Sequence, residues 1–118
     1  MRSGSPDLST RTRDFALQII RFYAALPRST EAQVVGKQML RAGTSVGAHY
    51  REGQRAKSDA DFISKIEGAL QELEETAYWL ELLIGAGIVS QERLACSQRE
   101  TEELTAIFVA IVRKTKSR

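Results

Sequence analysis

The chain has 118 residues, about the length of one domain. Hydrophobic residues (42%) and charged residues (27%) lie close to the averages of folded soluble proteins, which argues against a disordered chain and against a membrane protein. The net charge of +2 singles out no class of partner, while one cysteine and one histidine exclude an intramolecular disulfide and argue against a His/Cys zinc site.

Apolar residues recur at helical spacing along most of the chain, and no strand-like alternation is sustained, so the sequence predicts an all-α protein. The first helix is predicted over residues 12–26, with Phe15, Ile19 and Phe22 on one face. Pro27 ends it, because the residue before a proline is disfavoured in the helical conformation. Residues 1–11 are predicted to be disordered.

Three further helices are predicted over residues 30–55, 58–85 and 90–115. Thr30 and Gln33 have capping-box spacing, while Ser58 and Ser90 each precede acidic residues that suit a helix N-terminus. Gly85 and Gly87 end the third helix. Because short loops join neighbouring helices, we expect an antiparallel up-and-down four-helix bundle that forms a single domain over residues 1–118.

No segment predicts a membrane span or a secretory signal. The longest apolar run, residues 106–112, is far shorter than the roughly 18 residues that a membrane helix needs. The first ten residues lack the apolar core of a signal peptide. We therefore expect a cytoplasmic protein without a membrane partner, and we expect no cofactor or bound metal.

Charge is strongly segregated along the chain. Residues 1–57 hold ten Lys/Arg and four Asp/Glu, residues 58–103 hold three and eleven, and residues 104–118 hold four and none. The segment charges are therefore +6, −8 and +4. Such asymmetry indicates polyanion binding or head-to-tail association, or simply the pairing of basic with acidic antiparallel helices.

A helical wheel places four cations on one face of the second predicted helix, opposite its apolar stripe. We call this face the basic ridge; its members are Lys37, Arg41, Arg51 and Arg55. At 1.5 Å per residue the ridge is about 27 Å long, enough to follow a phosphate backbone. Lys114, Lys116 and Arg118 are second-rank candidates for nucleic-acid binding. The alternative is an ordinary solvated face, or a set of partners for acids on another chain.

Another face of the same helix is nearly free of side chains and carries Gly36, Gly43 and Gly47. Each glycine costs about 1 kcal/mol relative to alanine in a helix, so something is expected to pack close to this backbone, from the same or another subunit. The third helix is apolar almost all round near its end, which favours burial by a second subunit. The residues predicted at an oligomer interface are Gly36, Gly43, Gly47, Tyr78, Trp79, Leu82 and Leu83.

Heptad-spaced acids, Glu67, Glu74 and Glu81, flank the apolar stripe of the third helix. Charges beside a hydrophobic seam commonly set partner choice between helices, although solubility alone also explains them. Because nothing places a nucleophile or a metal beside these carboxylates, no catalytic residue is predicted.

The central segment contains a series of short motifs. They are Leu-Arg-Ala-Gly (40–43), the stretch from Ser45 to Glu52, the basic stretch Arg-Ala-Lys (55–57), Asp-Phe-Ile (61–63) and Glu-Thr-Ala-Tyr-Trp-Leu-Glu-Leu-Leu (75–83). With these motifs, residues 38–83 resemble the four-helix bundle proteins related to the 23S rRNA intervening-sequence proteins of bacteria. His49 departs from the pattern, since that family commonly has asparagine there.

The resemblance implies a left-handed bundle that assembles into a ring, commonly a homopentamer, without catalytic residues. Similar proteins accompany the reverse transcriptases of diversity-generating retroelements, where they resemble basic nucleic-acid-binding accessories. We therefore expect a non-enzymatic protein that binds its own copies and RNA or DNA, with a reverse transcriptase or another protein as a further partner. The alternative is a protein-interaction scaffold that binds no nucleic acid.

Overall fold

A computed structural model describes residues 7–118, which form four helices and no strand. The helices are α1 (Leu8–Ala24), α2 (Thr30–Gln54), α3 (Asp59–Gly85) and α4 (Gln91–Lys116). Consecutive helices run antiparallel and are joined by short loops. The predicted all-α, four-helix bundle is therefore confirmed.

Serine side chains cap three of the four helices. Ser58 Oγ accepts a hydrogen bond from the Asp61 amide (3.1 Å), and Ser90 Oγ accepts one from the Arg93 amide (3.2 Å). At α2 the cap is Ser29, whose Oγ accepts from the Ala32 amide (3.3 Å), and not the predicted Thr30. The observed bounds of α2, α3 and α4 differ from the predicted ones by at most one residue at each end.

Helix α1 begins four residues earlier than predicted, at Leu8. The prediction of disorder is therefore wrong for residues 8–11, and residues 1–6 lie outside the described part of the chain. Asp7 precedes the helix without a side-chain cap, so the usual sequence signal for a start is missing. Contacts with the rest of the bundle explain the early start, because Leu8 packs against the core and Arg11 binds α4.

The core is a continuous cluster along the bundle axis to which all four helices contribute. Its largest fully buried side chains include Phe15, Ile19, Met39, Ile66, Leu73, Leu80, Leu104 and Phe108. The apolar stripes predicted for α2 and α3 face this cluster. No helix within residues 7–118 has an apolar stretch long enough to cross a bilayer.

Helix α2 packs closely against α1 and α3, and α3 packs against α4, whereas α1 and α4 meet over a shorter stretch. That seam is largely polar. Arg11 Nε lies 2.7 Å from Glu100 Oε2, and its Nη2 lies 2.6 Å from Glu103 Oε1. The hydrogen bond to Glu100 raises the pKa of Arg11 above its usual value. Ser97 Oγ also donates to Gln18 Oε1 (2.8 Å) across the seam.

Candidate nucleic-acid interface

The structure places Lys37, Arg41 and Arg51 of the basic ridge on the exposed side of α2, and it places Arg55, also exposed, at the C-cap of this helix. The opposite side, with Met39, Ala42 and Val46, is fully buried. The helical period of the sequence therefore predicts correctly which side of α2 each of these residues occupies.

Arg41 is the member of the ridge whose charge is balanced within the chain. Its guanidinium lies 3.4 Å from Glu72 Oε1 and also pairs with Glu75, both on α3. We therefore revise the prediction for Arg41: it joins α2 to α3 and presents less net positive charge to a ligand than its position on the ridge indicates.

Lys37, Arg51 and Arg55 are exposed and have no carboxylate of residues 7–118 within ion-pairing distance. Glu52 borders the ridge in the sequence, but its Oε1 lies 3.6 Å from His49 Nδ1. His49 occupies the space above Gly68 of α3, where an added Cβ would lie 2.9 Å from Nδ1. The ridge thus retains three unpaired cations.

The second-rank cations at the end of α4 are mostly paired with α3. Lys116 Nζ lies 3.5 Å from Glu67 Oε2, and Arg118 Nη2 lies 2.9 Å from Asp59 Oδ1. Lys114 is exposed and has no ion pair with another described residue. Only Lys114 therefore remains a strong candidate in this group.

The three glycines predicted at an oligomer interface are buried inside the chain, under α1. A Cβ at Gly43 would lie 2.9 Å from Ile19 Cγ1, and one at Gly47 would lie 3.0 Å from Thr12 Oγ1. A Cβ at Gly36 would overlap the side chain of Leu26. The interface prediction is wrong for these three glycines, because they allow α1 and α2 of one chain to approach each other.

Leu83 is also wrongly predicted at an interface, since it is fully buried in the chain's own core. Tyr78 is 53% exposed, while Leu82 and Trp79 are partly buried. The Tyr78 and Trp79 rings lie 5.1 Å apart, and the buried Trp79 Nε1 has no hydrogen-bond partner within residues 7–118. Tyr78, Trp79 and Leu82 remain candidates for contact with another subunit.

Glu67 and Glu74 line a groove of about 700 Å³ between α3 and α4. Its other carboxylate is Glu102 of α4, which the spacing of acids along α3 alone did not reveal. Leu70, Ala77 and neighbouring side chains give the groove an apolar floor. Within residues 7–118 no three His, Cys, Asp or Glu side chains are grouped so as to hold a metal ion.

Comparison with known proteins identifies a family and a similar solved structure. A family model described as 23S rRNA-intervening sequence protein matches residues 7–110. The chain is also similar to a crystal structure of a protein of unknown function from the S23 ribosomal protein family of Bacteroides thetaiotaomicron VPI-5482. The two chains are 37% identical, the match covers 90% of this chain and 98% of the other, and the TM-score is 0.84. No curated protein matches the chain.

Proposed function

Because the chain belongs to the 23S rRNA-intervening sequence protein family, we propose that it is a non-enzymatic helical bundle that forms rings and binds RNA or DNA through its phosphates. We place this activity in the cytoplasm, with a reverse transcriptase or another protein as a further partner. The observation that carries the proposal is a set of three exposed, unpaired cations: Lys37 and Arg51 on α2, and Arg55 at its C-cap.

The geometry of these cations suits a phosphate backbone. Arg51 and Arg55 are one helical turn apart, about 6 Å, and Lys37 lies about 21 Å further along the helix at 1.5 Å per residue. A guanidinium presents a rigid fork of donors that matches phosphate oxygens. Contacts of this kind fix position on a nucleic acid without reading its sequence, so we expect little dependence on base sequence.

A salt titration tests the proposal. For a duplex, the logarithm of the binding constant is expected to fall linearly with the logarithm of salt concentration, by about 0.9 for each phosphate neutralised. The triple variant Lys37→Gln, Arg51→Gln, Arg55→Gln is expected to reduce that slope by about 2.7 if each cation contacts one phosphate. Fluorescence anisotropy of a labelled duplex measures both slopes.

The matched control removes exposed cations from the opposite hairpin, as Arg93→Gln with Arg99→Gln on α4. These residues lie away from the ridge and contact no phosphate in this proposal. The control is therefore expected to have nearly the wild-type slope, reduced only by the lower net charge of the protein. Absence of binding at low salt, or equal slopes for the triple variant and the wild type, contradicts the proposal.

A second candidate, the protein-interaction scaffold, is favoured by the acidic groove between α3 and α4. Glu74 and Glu102 line this groove and have no ion pair within residues 7–118. In a scaffold, the basic ridge of one copy, or a basic partner protein, would lie against these carboxylates. Heterologous contacts of this kind generate rings when the rotation between copies closes.

Charge reversal separates the two candidates. Glu74→Lys with Glu102→Lys is expected to dissociate assemblies only if the groove binds a basic surface of another copy, and to leave nucleic-acid affinity equal or higher if the ridge binds phosphate. Size-exclusion chromatography with light scattering measures assembly. An intact assembly in this variant rules out the acidic groove as the contact between copies.

A further inference from the structure

The groove between α1 and α2 carries one arginine from each helix. Its volume is about 470 Å³, and its only charged residues are Arg13 of α1 and Arg51 of α2. The remaining lining residues are small: Thr12, Ala16, Thr44, Gly47 and Ala48. The groove lies beside the basic ridge and shares Arg51 with it.

Close packing of the two helices explains the shape of this groove. Gly47 lets α1 approach α2, since a Cβ there would meet Thr12. The side chains around Gly47 are short, so they leave the contact between the two helices open to solvent. Both threonine hydroxyls donate to their own helices, Thr12 to the Leu8 carbonyl and Thr44 to the Leu40 carbonyl, each at 2.7 Å. The donors available to a ligand are therefore the two guanidinium groups.

The charge of the groove is uncompensated. No carboxylate lines it, and Arg51 has no ion pair within residues 7–118. Arg13 Nη1 lies 3.5 Å from Asp14 Oδ1, but both side chains are more than 60% exposed. An ion pair so open to water contributes little, so it holds the Arg13 guanidinium only weakly.

Resting on the proposed function, we infer that this groove binds the phosphodiester backbone of a single nucleic-acid strand, between Arg13 and Arg51. A flexible single strand can lower its backbone onto the small residues of the floor. The phosphates of a duplex lie on a wide convex cylinder, so a duplex can meet the exposed guanidinium groups but cannot reach the floor of the groove. No aromatic side chain lines the groove, so bases do not stack there and binding is independent of sequence.

The test compares a labelled single-stranded oligonucleotide with a duplex of the same length, by fluorescence anisotropy at fixed salt. Arg13→Gln is expected to weaken single-strand binding about tenfold, equivalent to about 1.4 kcal/mol, because it removes one charged hydrogen bond to a phosphate. Duplex affinity is expected to fall by a smaller factor, because a duplex meets the exposed Arg13 guanidinium without filling the groove. Ala48→Leu fills the groove without changing charge and is expected to weaken single-strand binding alone.

Arg21→Gln is the matched control, since it removes the same charge from α1 on the side that faces α4. It is expected to leave single-strand affinity within about twofold of the wild type. If Arg13→Gln and Ala48→Leu bind single strands like the wild type while the chain still binds nucleic acid, the groove inference fails and the proposed function stands. If the wild type binds neither probe, both fail.

Discussion

At the scale of single residues, the glycines of α2 show how a local cost is offset by packing. Glycine within a helix costs about 1 kcal/mol relative to alanine. At Gly43 that cost allows α1 to approach so closely that an added Cβ would lie 2.9–3.2 Å from three atoms of Ile19. The sequence predicts the close approach, but the partner helix is a property of the tertiary fold and is not visible in the spacing.

Gly43→Ala is expected to destabilise the protein despite its better helix propensity. Ile19 is fully buried and β-branched, so it cannot turn away, and overpacking of this kind costs about 1–3 kcal/mol. The better helix propensity of alanine offsets about 1 kcal/mol of this cost. We therefore expect the free energy of unfolding to fall by about 1 kcal/mol. Urea denaturation followed by the fluorescence of Trp79, the single tryptophan, measures it.

The control is Gly85→Ala at the end of α3, where no atom lies within 4 Å of an added Cβ. It is expected to leave stability unchanged or raise it by up to about 1 kcal/mol, because alanine reduces the entropy of the unfolded chain. An equal gain in both variants would show that the approach of α1 to Gly43 is not tight.

At the scale of helices, the sequence predicts what depends on local signals. Serine caps followed by acidic residues define the starts of α3 and α4 to within one residue, and the helical period defines the exposed side of α2. The start of α1 was not predictable in this way, because Leu8 and Arg11 are held by the core and by α4. Helical periodicity also could not reveal that Glu72 and Glu75 of α3 balance the charge of Arg41, because that contact depends on how α2 packs against α3.

One aromatic contact links α2 to α4 across the bundle. The rings of Tyr50 and Phe108 stack with their centroids 5.7 Å apart and an angle of 21° between their planes. Burial of the phenol, and secondarily the Asp7 carboxylate, raises the pKa of Tyr50 above its usual value of 10.0. The folded state therefore holds this proton more tightly than the unfolded state does.

Linkage turns this pKa shift into a prediction about stability at high pH. The contribution of Tyr50 is complete below its unfolded pKa of about 10 and is lost as pH rises through the higher folded pKa. Tyr50→Phe keeps the stacked ring and removes the ionisable group, so its stability is expected to fall less steeply than that of the wild type above pH 10. Urea denaturation at several pH values from 8 to about 11 measures both slopes.

If Tyr50→Phe follows the wild-type curve over this pH range, deprotonation of Tyr50 does not limit the alkaline stability of the bundle.

At the scale of the whole molecule, a net charge of +2 conceals two oppositely charged hairpins. The basic residues outnumber the acidic ones by six to three in α1 and α2 taken together, and the acidic ones outnumber the basic ones by eleven to six in α3 and α4 taken together. Ion pairs from Arg11 to α4 and from Arg41 to α3 use part of this complementarity inside the chain. What remains is a cationic side suited to phosphate and an acidic groove on another side, so binding and assembly need not compete for one surface.

A substitution at Tyr78 is the most direct test of the proposed assembly into rings. Tyr78 is the most exposed of the three remaining interface candidates, so Tyr78→Glu is expected to leave the single chain folded. A carboxylate buried between subunits without a partner is costly, so we expect the variant to dissociate to monomers at concentrations where the wild type assembles. Size-exclusion chromatography with light scattering over a range of concentrations measures this shift.

The matched control is Val34→Glu, because Val34 is an apolar residue on α2 with a similar exposure of 59%. If assembly involves the Tyr78 side of α3, Val34→Glu keeps the wild-type mass while Tyr78→Glu loses it, and circular dichroism shows both chains fully helical. A wild-type mass for Tyr78→Glu excludes this side of α3. A monomeric wild type at every concentration excludes the ring itself, and the cationic side of α1 and α2 would then bind nucleic acid, if at all, as a single bundle.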